Sequence, residues 1–282
     1  MDISKLSRPS WAFDPAMAGE HCIEFIKATL AESGVEKLVL GLSGGIDSAV
    51  AAGLAVRALG PENVLGIRMP YSTSSAASLT DAEAVASALG LKTEKVSIAT
   101  MADAFLADIP AGDLVRRGNI MARCRMVVLY DRSARDGALV LGTGNRTEAL
   151  LGYTTMFGDN ACALNPIGEL YKTEVRLLSS WLGLPDSVLT KAPSADLWEG
   201  QSDEDELGFS YEEADNLLHA MFDLETDDEG LVAAGFDSDL VKKVRRRVMV
   251  MAFKRRLAPV AEFVGRRNPD LVVSTRKDGG FH

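Results

Sequence analysis

The sequence predicts an α/β fold in which a doubly wound parallel sheet is followed by a helical C-terminal region. Three observations support this prediction. Before Pro193, short apolar runs rich in β-branched residues alternate with longer helical patterns. A glycine-rich loop joins the first apolar run to a helical pattern. After Pro193, the pattern changes to an acidic segment and then to a basic amphipathic segment.

The individual elements follow from the spacing of apolar residues. Four short runs are predicted as strands: Lys37–Leu42, Val64–Met69, Thr93–Ile98 and Ala138–Leu141. Six segments are predicted as helices: Pro15–Ser33, Ser48–Leu59, Leu79–Leu89, Met101–Asp108, Asp113–Arg135 and Thr173–Leu182. Ligands of such sheets bind at the carboxyl ends of the strands. We therefore expect Ser43, Pro70 and Thr143 to converge on one site.

The most informative segment follows the first predicted strand. It consists of six residues at the start of a helical pattern: Ser43, Gly44, Gly45, Ile46, Asp47 and Ser48. The glycines allow a tight turn and bring backbone N–H groups close to an anion, and a helix N-terminus adds further donors. Asp47 would repel a phosphate unless a divalent cation lay between them. The segment therefore predicts a pyrophosphate-binding loop with its own magnesium ligand.

This loop has two other interpretations. A Walker loop would need a lysine that reaches the phosphates, and none is present here. A tight strand-to-helix turn that binds nothing is the second alternative. The segment resembles the SGGxDS loop of the PP-loop ATP pyrophosphatases. That resemblance implies cleavage of ATP between the α and β phosphates and adenylation of a carboxylate, a carbonyl or a similar oxygen.

Composition excludes some functional classes. The 282 residues with 47 % apolar content suffice for one large α/β domain or for a domain with a small lobe. A net charge of −10 argues against a nucleic-acid partner. Cys22, Cys124 and Cys162 lack metal-ligand spacing and are interpreted as reduced thiols. Without a secretory signal or a membrane-length apolar run, we expect a cytoplasmic protein with no membrane partner.

A second chemically informative segment follows the fourth predicted strand. Gly142-Thr143-Gly144 ends that strand, and Thr147-Glu148 begins a helical pattern. A Rossmann fingerprint would need a glycine where Thr147 stands, so a redox NAD site is disfavoured. Glu148 lies just beyond the tip of a strand that should neighbour the loop-bearing strand. Glu148 either completes a magnesium site with Asp47 or simply caps its own helix.

The C-terminal third contains two oppositely charged segments. Residues 196–229 are acidic, and residues 238–256 form a basic amphipathic helix with four apolar positions on one face: Val241, Val244, Val248 and Met251. Either the two segments attract each other or each presents a solvated face, and the second interpretation is the simpler one. The polar stretches Ser72–Ser78 and Ser194–Gly208 are predicted as loops that could close over a site.

The joint order of several motifs resembles the ammonia-dependent NAD synthetases. The motifs are SGGIDSAV, Gly118-Asn119 with residues 122–126, GTGNRTE, GY, GD, NPIGELYKTEV and KAPSADLWEGQSDEDELG, and they extend over residues 15–260. The resemblance implies an adenine nucleotide alpha hydrolase-like fold, one domain over residues 1–282 and a homodimer. Within that domain it implies a PP-loop core at 15–192, then a mobile acidic loop and C-terminal helices at 193–282.

The same resemblance implies the residues of the site. For ATP they are Gly41, Leu42, Ser43, Gly44, Gly45, Ile46, Asp47, Ser48, Arg68, Thr143, Lys172 and Ser194. Asp47 and Glu148 are the implied Mg²⁺ ligands, and together with Lys172 they form the implied catalytic set. For deamido-NAD the implied residues are Lys254, Asp159, Met156, Ala163 and, from the other subunit, Arg123. Taken singly, Lys172, Arg123 and Lys254 are equally compatible with surface or helix-end cations.

Two of these positions depart from the family pattern. Many members have a lysine where Met156 stands and an aspartate where Ala163 stands, and both commonly contact deamido-NAD. The implied reaction is amidation of the nicotinate carboxylate of deamido-NAD through an acyl-adenylate, with AMP and pyrophosphate released. About 40 residues before the loop are too few for an amidase domain, so we expect free ammonia or a separate glutaminase subunit. The alternative is another PP-loop enzyme that adenylates a different carboxylate or carbonyl.

Overall fold

A computed structural model describes residues 9, 11–191, 193–194, 198, 201 and 203–260 of the chain. Its centre is a parallel sheet of four strands in the order β3-β2-β1-β4. The strands are β1 (Lys37–Gly41), β2 (Val64–Arg68), β3 (Lys92–Lys95) and β4 (Ala138–Val140). All four predicted strands are confirmed, with ends that differ by one to three residues. The strand order places β1, the loop-bearing strand, between β2 and β4.

Helices cover both faces of this sheet. Those of the sheet region are α1 (Pro15–Ser33), α2 (Ile46–Leu59), α3 (Ala76–Leu89), α4 (Ala99–Leu106), α5 (Leu114–Asp136), α6 (Arg146–Leu151), α7 (Lys172–Leu182) and α8 (Asp186–Thr190). Buried Leu38 and Leu40 of β1 belong to the core under α1, α2 and α7. Val39 between them belongs to the opposite core, under α4 and α5. This alternation confirms the doubly wound α/β fold.

The C-terminal region is helical, as predicted, and has a third core of its own. Its helices are α9 (Asp203–Leu207), α10 (Tyr211–Phe222), α11 (Asp228–Ala233) and α12 (Ser238–Val250), followed by a 3-10 helix at Met251–Arg255. Tyr211, Leu217 and Leu218 are fully buried in this core, which also includes Leu151 of α6 and Tyr171 before α7. The C-terminal helices therefore pack directly on the two helices that follow β4.

The predictions of two loops are partly wrong. Helix α3 begins at Ala76, inside the predicted loop Ser72–Ser78, because the Ser75 side chain accepts a hydrogen bond from Ser78 N and caps the helix. Helix α9 lies inside the predicted loop Ser194–Gly208, where Leu207 enters the third core. Residues 195–197, 199–200 and 202 of that loop lie outside the described part.

Other sequence predictions for this region have mixed outcomes. Val241, Val244 and Val248 of α12 are buried, as its pattern predicts, whereas Met251 is half-buried. Most described acidic residues between 203 and 229 are solvated, but Asp203 and Asp215 are buried. The extent of a single domain over residues 1–282 stays a prediction. No helix in the described part of the chain is long and apolar enough to cross a membrane.

Candidate active site

The glycine-rich loop between β1 and α2 is held by its own serines. Ser48 Oγ accepts a hydrogen bond from Ser43 N at 3.2 Å, and the two serine hydroxyls are 3.0 Å apart. Gly45 N donates to Ser43 Oγ at 3.2 Å. Gly45 caps α2 without a side chain, so the first backbone N–H groups of that helix remain available to an anion. We call residues 43–48 the phosphate loop.

The first glycine of the phosphate loop is required by its surroundings. Gly44 has φ +79°, in the left-handed region that favours glycine, and a Cβ there would lie 2.2 Å from Ser78 O. The loop is therefore pressed against the start of α3. Lys191, just before the predicted acidic loop, reaches the same place and donates to Ser78 Oγ at 3.0 Å and Asp81 Oδ2 at 2.9 Å.

A buried lysine joins the phosphate loop to the helices that follow β4. Lys172 Nζ lies 2.5 Å from Asp47 Oδ2 and 3.2 Å from Glu148 Oε1. Only 3 % of the Lys172 side chain is exposed. The ring of Tyr211 covers the ammonium, with its centroid 5.1 Å from Nζ. The three predicted catalytic side chains thus meet at one point, although they are 24 to 125 residues apart in sequence.

Burial and charge set the protonation of this cluster. Burial raises the pKa of the Glu148 carboxyl above its ordinary range, and the positive charge of Lys172 opposes this only in part. Burial by itself lowers the pKa of Lys172, but the charges of Asp47 and Glu148 raise it to a larger extent. The lysine therefore keeps its proton and is a permanent buried cation beside the phosphate loop.

Glu148 fulfils one of the two roles considered for it from the sequence, the capping of its own helix; its role as a magnesium ligand stays a prediction. Its Oε2 accepts a hydrogen bond from Asn145 N at 3.2 Å, while Asn145 Oδ1 accepts from Glu148 N at 3.0 Å, which is a capping box at the start of α6. Its other oxygen, Oε1, faces Lys172. Asn145 is fully buried, and its Nδ2 donates to Asp47 Oδ1 at 2.9 Å. Asn145 therefore fixes the two carboxylates relative to each other.

The remaining predicted ATP residues, apart from Ser194, lie at or just beyond the carboxyl ends of β1, β2 and β4. Arg68 ends β2, pairs with Glu83, and has a buried Nε with no hydrogen-bond partner among the described residues. Thr143 is half-buried between β4 and α6. Gly41 and Leu42 continue β1 into the phosphate loop, and Leu42 N donates to Ile67 O at 2.9 Å. Ser194 is exposed.

The predicted dinucleotide residues gather around a second loop, residues 152–163. Lys254 Nζ donates to the carbonyl oxygens of Gly152 at 2.8 Å and Thr154 at 2.6 Å. Arg123 of α5 donates through Nη2 to Met156 O at 3.1 Å. Asp159 accepts from Thr155 N at 2.6 Å, within the loop. The backbone of this loop is therefore held from α5 and from the C-terminal 3-10 helix.

Helix α6 lies between the Asp47–Glu148–Lys172 cluster and the loop at 152–163. Glu148 lies in its first turn, and the loop at 152–163 begins where the helix ends, about 6 Å further along for four residues at 1.5 Å each. Ala163, at the far end of the loop, is exposed, and its N donates to Val140 O of β4 at 2.8 Å. The structure thus places the predicted nucleotide residues and the predicted dinucleotide residues at opposite ends of one short helix.

Comparison with known proteins identifies the family. The family model for NAD synthase matches residues 19–258. The chain belongs to the NAD synthase family. It is 52 % identical to the NH(3)-dependent NAD(+) synthetase of Pelodictyon phaeoclathratiforme, over 86 % of this chain and 87 % of that one.

Solved structures support the same assignment. An NMN synthetase from Francisella tularensis superposes with a TM-score of 0.79 at 33 % identity, covering 89 % of this chain and all of that one. An NH3-dependent NAD synthetase from Campylobacter jejuni gives a TM-score of 0.76 at 39 % identity, with the same coverage. Membership of the NAD synthase family makes this protein an ATP-using ligase that forms C–N bonds.

Sequence reasoning missed several polar residues of this NAD synthase site. They are Asn145, Thr147, Asp203, Tyr211 and Asp215. The spacing of Asn145 and Glu148 is a capping signature that could have identified the first of them. Asp215 lies at helical spacing from Tyr211 and Leu218, and an aspartate on an apolar face is a usable signal. Nothing in the acidic run distinguishes Asp203, whose carboxylate accepts from the hydroxyls of Tyr153 and Tyr211.

Proposed function

We propose that this protein amidates deamido-NAD with ammonia, consuming ATP and releasing AMP and pyrophosphate. The observation that carries the proposal is the buried ammonium of Lys172, held between Asp47 and Glu148 beside the phosphate loop. Cleavage of ATP at the α-phosphate requires stabilisation of a departing pyrophosphate. A fixed cation and converging N–H groups supply that stabilisation without any nucleophilic side chain.

The donor set at this site is suitable for Mg²⁺. Proteins commonly hold this ion through one or two carboxylates together with substrate phosphates. Asp47 and Glu148 are two carboxylates that converge on one point, and each keeps a fixed orientation through Asn145. Within the proposal these two residues hold Mg²⁺, which supplies charge neutralisation for the phosphate oxygens when bound.

The proposed reaction has two steps. A nicotinate carboxylate oxygen attacks the α-phosphorus of ATP, and the bond from that phosphorus to the pyrophosphate oxygen breaks. Ammonia then attacks the acyl carbon, the bond to the AMP oxygen breaks, and a proton is lost. Lys172 and the N–H groups of the phosphate loop hold the pyrophosphate during the first step. Exclusion of water protects the acyl-adenylate from hydrolysis before the second step.

The remaining assignments are part of the same proposal. ATP is bound by the phosphate loop with Gly41, Leu42, Arg68, Thr143, Lys172 and Ser194. Deamido-NAD is bound near the loop at 152–163 by Arg123, Met156, Asp159, Ala163 and Lys254. The position of Lys254 supports binding through the loop backbone that it holds in place. The ammonia is free or comes from a separate glutaminase subunit.

We also propose a homodimer formed through α5. Large apolar side chains on this helix are exposed to solvent, with Val115 70 %, Val127 52 % and Tyr130 41 % exposed. Apolar surface on a helix of a globular protein is typical of a protein interface. Arg123 is exposed on the same helix, which supports its proposed contribution to the site of the partner subunit.

A second candidate substrate is nicotinate mononucleotide. The likeness to the Francisella NMN synthetase favours it, as do Met156 and Ala163 at positions where many members have charged residues. A pocket without that lysine and aspartate loses polar contacts to the larger dinucleotide. The two substrates carry the same reacting carboxylate, so the site described above serves either one.

One assay distinguishes these possibilities. Purified protein is incubated with ATP, Mg²⁺, ammonium and either deamido-NAD or nicotinate mononucleotide, and the amidated product and AMP are quantified. We expect NAD and AMP in equal amounts, with kcat/KM at least about tenfold higher for deamido-NAD. A preference for the mononucleotide would favour the second candidate. Pyrophosphate exchange with another carboxylate, without amidation of either nucleotide, would overturn both and retain only ATP activation.

A further inference from the structure

Asp215 on α10 is a fully buried carboxylate that the proposed reaction does not use. None of its surface is exposed. Its Oδ1 accepts a hydrogen bond from Thr147 Oγ1 at 2.5 Å, and its Oδ2 accepts from Thr173 N at 2.8 Å. Both donors adjoin a residue of the catalytic cluster in sequence: Thr147 precedes Glu148, and Thr173 follows Lys172.

These contacts complete the start of α7. The N-cap residue Tyr171 makes no side-chain capping bond to the helix. Instead, Lys172 N donates to Thr147 Oγ1 at 3.0 Å and Thr173 N donates to Asp215. Two first-turn N–H groups of α7, those of Lys172 and Thr173, are thus satisfied by side chains from α6 and α10. A negative charge is favourable at this end of a helix because it faces the positive end of the helix dipole.

The same contacts fix the positions of α6, α7 and α10 relative to one another. The Thr147 hydroxyl of α6 accepts from Lys172 N of α7 and donates to Asp215. Asp215 also accepts from Thr173 N, so one side chain of α10 bridges α6 and α7. Glu148 is on the first of these helices and Lys172 on the second. A shift of either helix start would change the 3.2 Å separation between Lys172 Nζ and Glu148 Oε1.

Hydrogen bonding, and not apolar packing, accounts for an aspartate at this position. Tyr211, Ala214 and Leu218 form the buried apolar face of α10 around it. Burial raises the pKa of Asp215 to about 6, so the environment disfavours the charge while the bonds from Thr147 and Thr173 favour it. An apolar side chain would fill the same face without the desolvation cost, but it would leave the N–H of Thr173 unpaired.

We propose that Asp215 is a positioning residue that, through Thr147 and the start of α7, holds Lys172 between Asp47 and Glu148. The proposal rests on the proposed function, in which Lys172 contacts the phosphates of ATP. Asp215 itself touches no substrate. Its contribution is the placement of the ammonium, and small displacements of such a group have large effects on rate.

The test uses variants of Asp215 and Thr147 in the full-length protein. Asp215→Asn removes one of the two acceptors, Thr147→Val removes the bridging hydroxyl, and Thr147→Ser keeps that hydroxyl. Asp237→Asn is the matched control, because Asp237 caps α12 by accepting from Leu240 N at 2.8 Å, in a helix that bears no residue of the cluster. Each protein is assayed for NAD formation at saturating deamido-NAD and ammonium, over a range of ATP concentrations.

We expect Asp215→Asn and Thr147→Val to lower kcat by about tenfold to a hundredfold, with KM for ATP changed less than about threefold. Thr147→Ser and Asp237→Asn should remain within about twofold of the wild type. Wild-type rates in Asp215→Asn or Thr147→Val would overturn the proposal. So would a loss in Thr147→Ser as large as that in Thr147→Val.

A double variant separates positioning from a general loss of folded enzyme. If Asp215 acts through Lys172, adding Asp215→Asn to Lys172→Met should change the residual rate by less than about twofold. Losses that multiply in the double variant would overturn the proposal, because they indicate a defect independent of the lysine.

The failure of this inference and that of the proposed function can be distinguished. A wild-type protein that forms no NAD overturns the proposed function. In that case, crystal structures of the wild type and Asp215→Asn decide the inference. A Lys172 ammonium displaced from Asp47 in the variant supports it, and an unmoved ammonium overturns it.

Discussion

The phosphate loop and the lysine–carboxylate cluster serve the same site but are built in opposite ways. Hydrogen bonds within the phosphate loop connect residues two to five positions apart. Bonds within the cluster connect Asp47, Glu148 and Lys172 over 24 to 125 positions, and Asp215 adds links of 42 and 68. One half of the site is a property of a short segment, and the other is a property of the assembled fold.

This difference determines how each half responds to change. The phosphate loop depends on backbone conformation, so glycine geometry and the neighbouring start of α3 limit what it tolerates. The cluster depends on buried charges whose partners come from separate helices. Removal of one charged partner leaves the remaining buried charges unpaired, with no water to solvate them. Substitutions in the two halves are therefore expected to differ in kind.

The largest effect is expected at Asp47, the residue shared by both halves. Asp47→Asn keeps the shape of the side chain and its contact with Asn145 but removes a carboxylate charge from the proposed Mg²⁺ site. We expect kcat to fall by about two to three orders of magnitude, with an unchanged circular dichroism spectrum. Turnover measured against Mg²⁺ concentration is the test. Asp239→Asn, in the exposed first turn of α12, is the control, and a near-wild-type rate for Asp47→Asn would contradict its role as a ligand.

A smaller effect is expected from breaking the phosphate loop alone. In Gly44→Ala the new Cβ meets Ser78 O at 2.2 Å in a backbone with φ +79°, so the start of α3 must move. We expect about 2–3 kcal/mol lower free energy of unfolding and a raised KM for ATP.

Gly34→Ala provides the matched control for that change. Gly34 has a similar φ of +68° but nothing within 4 Å of a Cβ, so only the cost of the left-handed backbone remains, about 1 kcal/mol. Urea unfolding and ATP titrations measure both variants. Equal destabilisation of the two would show that contact with α3 does not constrain the loop.

The smallest effect is the pH dependence that Asp215 gives to the free energy of unfolding. Its folded-state pKa of about 6 lies above the unfolded value of about 4, so the folded state binds the proton more readily. At pH 7.5 the buried carboxylate is charged, and its desolvation destabilises the folded protein. Protonation removes this destabilisation as pH falls through 6. We expect the wild type, relative to Asp215→Asn, to gain about 1 kcal/mol between pH 7.5 and pH 5.2.

Urea unfolding of both proteins at the two pH values measures this gain. Glu148 and Glu174, whose buried carboxyls also have raised pKa values, are present in both proteins, so their titration contributes to both sets of curves. A difference between the two proteins that does not change with pH would contradict the raised pKa of Asp215.

The sequence by itself determined the sheet, most helices of the α/β core and the phosphate loop. These depend on short-range patterns: apolar periodicity, capping residues, and glycines that permit one backbone conformation. It also placed Asp47 and Glu148 near each other, because β1 and β4 were expected to be neighbours and residues at their carboxyl ends meet at one edge.

Only the tertiary structure decided what holds that pair together. Lys172 alone could have been a surface cation, and Asp215 stands in a run of acidic residues that are mostly solvated. Their roles depend on α10 packing against the starts of α6 and α7, which buries both charges and leaves each with specific partners. The choice of a partner for a buried charge is a long-range property, so no local pattern encodes it.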